Sequence, residues 1–212
     1  MEQKIKPIET FYHGYRFRSR LEARWAVFFD ALNVRFEYEP EGFDLGNGEY
    51  YLPDFRVKCW GDRGSIFEEP YDLYIEVKGR MTEDDANKIR KFAKDPNVGH
   101  LPIWEQADEY ERLMNEKNMV LIVGNIPEEG CAYDARELGA YDPMNGIKIY
   151  PYNYELIDGD HFAAFPAAHK GKFFLCGDDS NYCWNEEEVE RAYRLARQAR
   201  FEHGETPILR RY

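Results

Sequence analysis

Apolar residues recur at Leu21, Trp25, Phe28, Phe29 and Leu32, a helical spacing that gives one greasy face. Ser19 stands just ahead of them and Glu22 follows three residues later, as in a capping box. A helix is therefore expected from Ser19 to Leu32. The pattern then changes period. Arg35 to Glu39 alternates and stops at Pro40, Asn47-Gly48 is a hairpin turn signal, and Tyr50 to Cys59 reads as a strand. Gly61 to Gly64 reads as a loop, and Tyr71 to Val77 as a further strand ended by Gly79. A second helix is expected from Thr82 to about Lys94, closed by Asp95-Pro96. After another helical stretch around Ala107 to Lys117, the continuous apolar run Met119 to Val123 reads as a buried central strand.

Beyond Ile126 the texture differs. Residues 127–184 are rich in Gly, Pro, Tyr and Phe, with short strands expected at Ile147–Tyr152 and Lys172–Cys176. A terminal helix is expected from Asn185 to Phe201, with Glu186, Glu187 and Glu188 suited to its positive end. The pattern predicts a compact α/β core over 1–126, a mixed sheet of the α+β kind. A β-rich C-terminal extension with a terminal helix over 127–212 completes it.

Composition narrows the function classes. With 43% hydrophobic and 16% aromatic residues, the 212-residue chain can bury a substantial core. No apolar run reaches the length of a membrane span, and the first ten residues lack the apolar stretch of an export signal. A cytoplasmic protein is expected. Four scattered cysteines (Cys59, Cys131, Cys176 and Cys183) suit reduced thiols. A zinc site using Cys131, Cys176, Cys183 and His161 or His169 lacks the usual close ligand pair.

The net charge of -12 argues against a tight, promiscuous duplex binder. The acidity is uneven. Residues 1–100 hold 16 Lys and Arg against 19 Asp and Glu, while residues 101–212 hold 12 against 21.

Candidate chemistry lies in three pieces of the first half. YLPDF puts Asp54 on a strand, and IEVKG puts Glu76 and Lys78 on a later one. Residues two apart on a strand share a face, so Glu76 and Lys78 point together while Val77 faces the core. Glu22 places a third carboxylate at the edge of the apolar stripe of the first helix, where a charge needs a reason. Taken singly, Pro-Asp and Glu-x-Lys are common by chance; the ordered set is not.

This set resembles the PD-(D/E)XK nuclease superfamily over residues 11–126, with Pro53-Asp54 followed by Glu76-Val77-Lys78 and a helix-borne Glu22. The segment FRSRLEARWAVFFDAL followed by YLPDF also looks like nuclease-like proteins of phages and mobile elements. The resemblance implies a restriction-endonuclease-like core and Mg²⁺- or Mn²⁺-dependent cleavage of DNA. It implies that Asp54, Glu76 and the Val77 backbone carbonyl hold the metal, with Glu22 serving a second metal directly or through water. Lys78 would orient the water or stabilise charge at the phosphate. Arg16, Arg18, Arg20 and Arg24 are candidates to grip phosphates at the start of the first helix, with Lys88, Arg90 and Lys91 weaker ones. Pairing into a homodimer to cut two strands follows from the resemblance alone. Two other readings stay open: RNA as the polymer cut, and a nuclease fold that only binds, serving a phage or transposition partner.

Overall fold

The computed structural model describes residues 8–60, 70–79, 82–93, 119–126, 165–176, 186–201 and 207. The expected Ala107–Lys117 helix, the Ile147–Tyr152 strand and the 61–64 loop lie outside the described residues. So do Cys131, Cys183 and His161 and the side chains of Cys176, His169 and Arg90.

The chain opens with a hairpin, β1 (Thr10–Tyr12) and β2 (Tyr15–Phe17), that the sequence reading did not include. His13 (φ 50°) and Gly14 (φ 83°) turn it, both left-handed, as a tight two-residue loop demands. Helix α1 (Arg20–Ala31) follows, capped by Ser19, whose hydroxyl accepts the Glu22 amide at 3.2 Å. The helix ends in a Schellman motif. Asn33 is left-handed (φ 55°), its amide reaches the Asp30 carbonyl, and the Val34 amide reaches the Phe29 carbonyl.

Next come β3 (Phe36–Tyr38), then β4 (Phe43–Gly46) and β5 (Glu49–Tyr51), joined by Asn47-Gly48 with both residues at positive φ. The expected Tyr50–Cys59 strand is in fact broken. Pro53 lacks an amide for a ladder, and Leu52-Pro53-Asp54 separates β5 from β6 (Phe55–Cys59). β7 (Tyr71–Val77), α2 (Glu83–Ala93) and β8 (Met119–Val123) follow. Beyond them lie β9 (Phe165–His169), β10 (Lys172–Cys176) and α3 (Glu186–Gln198). β9 was not expected, because Pro166 argues against a strand. The described residues thus form a mixed α/β fold with three helices, none long and apolar enough to cross a membrane.

The main sheet runs β8-β7-β6-β10-β9, with β3 also paired to β6. β6 and β7 are antiparallel, whereas β7–β8 and β6–β10 are parallel. β8 therefore sits at an edge among the described strands, not at the centre. Its apolar run is explained by cover on both faces. Leu121 and Val123 join the core formed by α1 and α3, while Val120 and Ile122 join Ile89 and Phe92 of α2.

The described residues beyond 127 share that first core. Phe173 of β10 is fully buried near Phe29, and Tyr193 of α3 stacks on Phe28 with ring centroids 4.5 Å apart. The β9–β10 turn presses on the end of α1: a Cβ at Gly171 would lie 3.0 Å from the Asn33 carbonyl.

Trp25 ties the helix layer to the sheet. It is fully buried and its indole N–H donates to the Gly124 carbonyl at 2.8 Å, just past β8. Trp25→Phe strands that carbonyl and removes ring volume, so it should cost about 2 kcal/mol or more. Urea denaturation measures this, and a change below about 0.5 kcal/mol would show that the bond carries little of the layer's stability.

Candidate active site

Five carboxylates (Glu22, Glu39, Asp54, Glu76 and Asp85) and the cations Arg18 and Lys78 gather where β6 and β7 approach α1 and α2. Asp54 precedes β6 and is buried, at 3% exposure. The β6–β7 ladder begins at the Phe55–Ile75 pair, so the Val77 amide lies beyond its end. Asp54 takes that amide instead: Oδ2 accepts from Val77 N–H at 2.7 Å. Oδ1 accepts from the Arg18 guanidinium at 2.5 Å.

Glu76 is 4% exposed and lies on the α2 side of β7, while Val77 joins the opposite core as expected. One oxygen of Glu76 accepts from the Tyr51 hydroxyl at 2.7 Å. The other pairs with Lys78 Nζ at 2.9 Å. Lys78 also reaches Asp85 at 3.0 Å. Asp85 belongs to the first turn of α2. Its second oxygen accepts the Thr82 amide and hydroxyl, and the Thr82 hydroxyl accepts the Asp85 amide, a reciprocal cap. The start of α2 thus fixes the far side of the lysine.

Glu22 is the third buried carboxylate, at 7% exposure. Oε1 accepts from the Ser19 hydroxyl at 2.7 Å. Oε2 accepts from the Tyr38 hydroxyl at 2.6 Å and from the Arg18 amide at 3.1 Å. Its hydrogen bonds close the N-terminus of α1, so that helix end has its own anion already in place.

Burial pushes the Asp54 carboxyl up to about 8, and the charges of Glu76 and Glu22 add to the rise. The Val77 amide and Arg18 oppose the rise without cancelling it. Burial works against the charge of Lys78, but Glu76 and Asp85 outweigh it and raise the ammonium to about 12. Lys78 is therefore a permanent cation at neutral pH, suited to holding anionic charge and not to taking up a proton. Burial and the Glu76 charge raise the Tyr51 hydroxyl well above its usual range, so it stays a donor.

The donors suit a hard divalent ion, which takes carboxylate oxygens and fills its remaining positions with water or phosphate. A cation would also relieve the repulsion that raises Asp54. Among the described residues, however, no three His, Cys, Asp or Glu side chains converge on one point that could hold a metal. What remains is the pair Asp54 and Glu76, close enough for the charge of one to raise the other, with Glu22 engaged in capping. At Asp54 it is the Val77 amide that makes contact.

The arginines divide. Arg18 joins the site, but on Asp54 and, at 2.8 Å, on Glu39. Arg16 pairs with Glu9, and Arg24 is half-buried with its Nε unmatched. Arg20 is half-buried on α1, and Lys91 pairs with Glu49. A groove of about 730 Å³ lined by His13, Asp30, Arg35, Glu37, Arg56 and Asp72 shares none of the cluster's residues.

Sequence reasoning missed Tyr38, Glu39, Tyr51 and Asp85. A signal existed for Asp85, since Thr82-x-x-Asp85 has the spacing of a cap. The other three are brought in by tertiary packing. No family model, no curated protein and no solved structure matches the chain.

The Asp54 shift has a stability consequence with a definite sign. Its carboxyl has an ordinary value of 3.8 and rises to about 8 in the fold. Folding therefore favours the protonated form, and stability is lost as pH rises through that window. Asp54→Asn removes the ionisation, so its melting temperature in EDTA should gain on wild type between pH 4 and 8. A relative gain of about 1 kcal/mol would be about 2–4 °C. A difference constant across that range would show that Asp54 carries no unusual charge penalty.

Proposed function

We propose that this chain is a metal-dependent endonuclease of the PD-(D/E)XK type that hydrolyses DNA phosphodiester bonds. The observation that carries the reading is that Asp54 and Glu76, 22 residues apart in sequence, are both buried and close enough for their charges to interact, with Lys78 paired to Glu76 at 2.9 Å. A helix bearing Glu22, two antiparallel strands of which Asp54 precedes the first and Glu76 lies on the second, a second helix and a parallel strand follow one another along the chain. That order supports a restriction-endonuclease-like core.

Asp54 and Glu76 would hold Mg²⁺ or Mn²⁺. When bound, the ion supplies an activated water and neutralises charge at the phosphate. The chain's own groups do the rest. Tyr51 fixes the rotamer of Glu76, and the Val77 amide fixes that of Asp54. Glu76 and Asp85 hold Lys78 between them. Its ammonium then stands ready for charge that develops on a phosphate oxygen, with little reorganisation. Burial of both carboxylates limits competing water.

Linear duplex, supercoiled plasmid, single strand, four-way junction and RNA, each with Mg²⁺, Mn²⁺ or EDTA, give the decisive comparison. Metal-dependent DNA cleavage is expected. Asp54→Ala and Glu76→Ala should abolish it, and Lys78→Ala should lower kcat by about 10²–10³. Cleavage by Asp54→Ala at the wild-type rate would remove the site assignment. Cleavage of RNA alone would move the substrate class. Metal binding without cleavage of any polymer would favour a binding module instead.

A further inference from the structure

Asp54 has two oxygens, and both are engaged. Oδ2 faces the Val77 amide inside the fold, and Oδ1 faces the Arg18 guanidinium. The two ends of that ion pair differ in exposure: the Arg18 side chain is 55% exposed and that of Asp54 only 4%. A cation already lies on Oδ1, then, and it comes from the chain itself.

We propose that Arg18 is the resident counter-ion of the carboxylate cluster and competes with the divalent cation for Asp54 Oδ1, thereby setting the metal affinity of the site. This rests on the metal reading given above.

Three features make the guanidinium exchangeable. The Arg18 main chain is anchored, its amide donating to Glu22 at 3.1 Å and to the Tyr38 hydroxyl at 3.0 Å, so only the side chain need move. Nε pairs separately with Glu39 at 2.8 Å, which leaves the guanidinium a partner after it releases Asp54. Glu39 adopts a left-handed backbone (φ 46°), and its amide bonds the Asp54 carbonyl at 2.9 Å. Strain of this kind in a residue without a glycine's freedom needs support from its surroundings, and it collects at functional positions. Lys78 contrasts with Arg18. It is only 26% exposed and is held by carboxylates on two sides, so it is the fixed cation and Arg18 the mobile one.

Competition lowers apparent affinity by the fraction of molecules in which the oxygen is open. If that fraction is about one tenth, removing the guanidinium tightens metal binding about tenfold. The test uses the full chain and Mn²⁺ alone, without nucleic acid, following the free ion by electron paramagnetic resonance. Arg18→Gln should bind Mn²⁺ about tenfold more tightly than wild type. Arg18→Lys keeps a charge over Asp54 and so protects against loss of folding. One ammonium does not reproduce the planar fork that spans Asp54 and Glu39, so binding should tighten by a smaller factor. Asp54→Ala should lose the site.

Unchanged or weaker binding in both Arg18 variants, with wild-type binding intact, overturns the proposal and leaves the metal reading standing. Folded wild type that binds no Mn²⁺, or Asp54→Ala that binds it as wild type does, overturns the metal reading and this proposal together.

Discussion

Three carboxylates, Glu22, Asp54 and Glu76, are each less than a tenth exposed and lie within electrostatic reach of one another. Withdrawing like charges from water together is among the most unfavourable arrangements a fold can adopt. Much of the local structure can be understood as the response. Glu22 receives a serine hydroxyl, a tyrosine hydroxyl and a main-chain amide. Asp54 receives an amide and a guanidinium, and Glu76 a tyrosine hydroxyl and an ammonium. Hydrogen bonds of this number rigidify a site as well as solvate it. A merely structural network could reach the same satisfaction with neutral side chains.

The scaffold holds the acids by independent means. Asp54 depends on the break before β6, Glu76 on the pairing of β7 with β6 and β8, and Glu22 on the cap of α1. Each support is anchored in a different part of the core. The α1 side rests on Phe28, Phe29 and Trp25 against α3 and the sheet, and the α2 side on Phe92 against Tyr51 and Tyr74. The Tyr51 ring packs on Phe92 while its hydroxyl holds Glu76, so packing on that face and aim at the site are one side chain's work.

Where local signals were strong, the elements could be read directly. The cap at Ser19, the Asn47-Gly48 turn, the apolar alternation of β7 and the run at Lys172–Cys176 all encode their structure within a few residues. Two strands escaped for local reasons. β9 contains Pro166, and the β1–β2 hairpin turns on His13-Gly14, a weaker sign than Asn-Gly. The placement of β8 at an edge was illegible because two-sided burial looks the same at an edge as at the centre. Within the site, the shared face of Glu76 and Lys78 follows from strand geometry. Arg18 was visible only as one of four nearby arginines. Its partner, 36 positions away, is a tertiary fact with no local trace.

The two cations also bear on how an acidic chain can meet a polyanion. Total charge acts over distances that salt largely screens beyond about 8 Å, so the -12 of the whole chain says little about the field inside the cluster. That field is set by Glu22, Glu39, Asp54, Glu76 and Asp85 against Arg18 and Lys78. Left alone, acids outnumber bases there, and a phosphate would be repelled. Addition of one divalent ion would offset that excess without altering the remainder of the surface. An acidic protein with such a site would have little hold on nucleic acid in general, yet would accept a phosphate at the one place where its carboxylates are neutralised. On the proposed function, weak general binding and a local requirement for metal would be two outcomes of the same charge distribution.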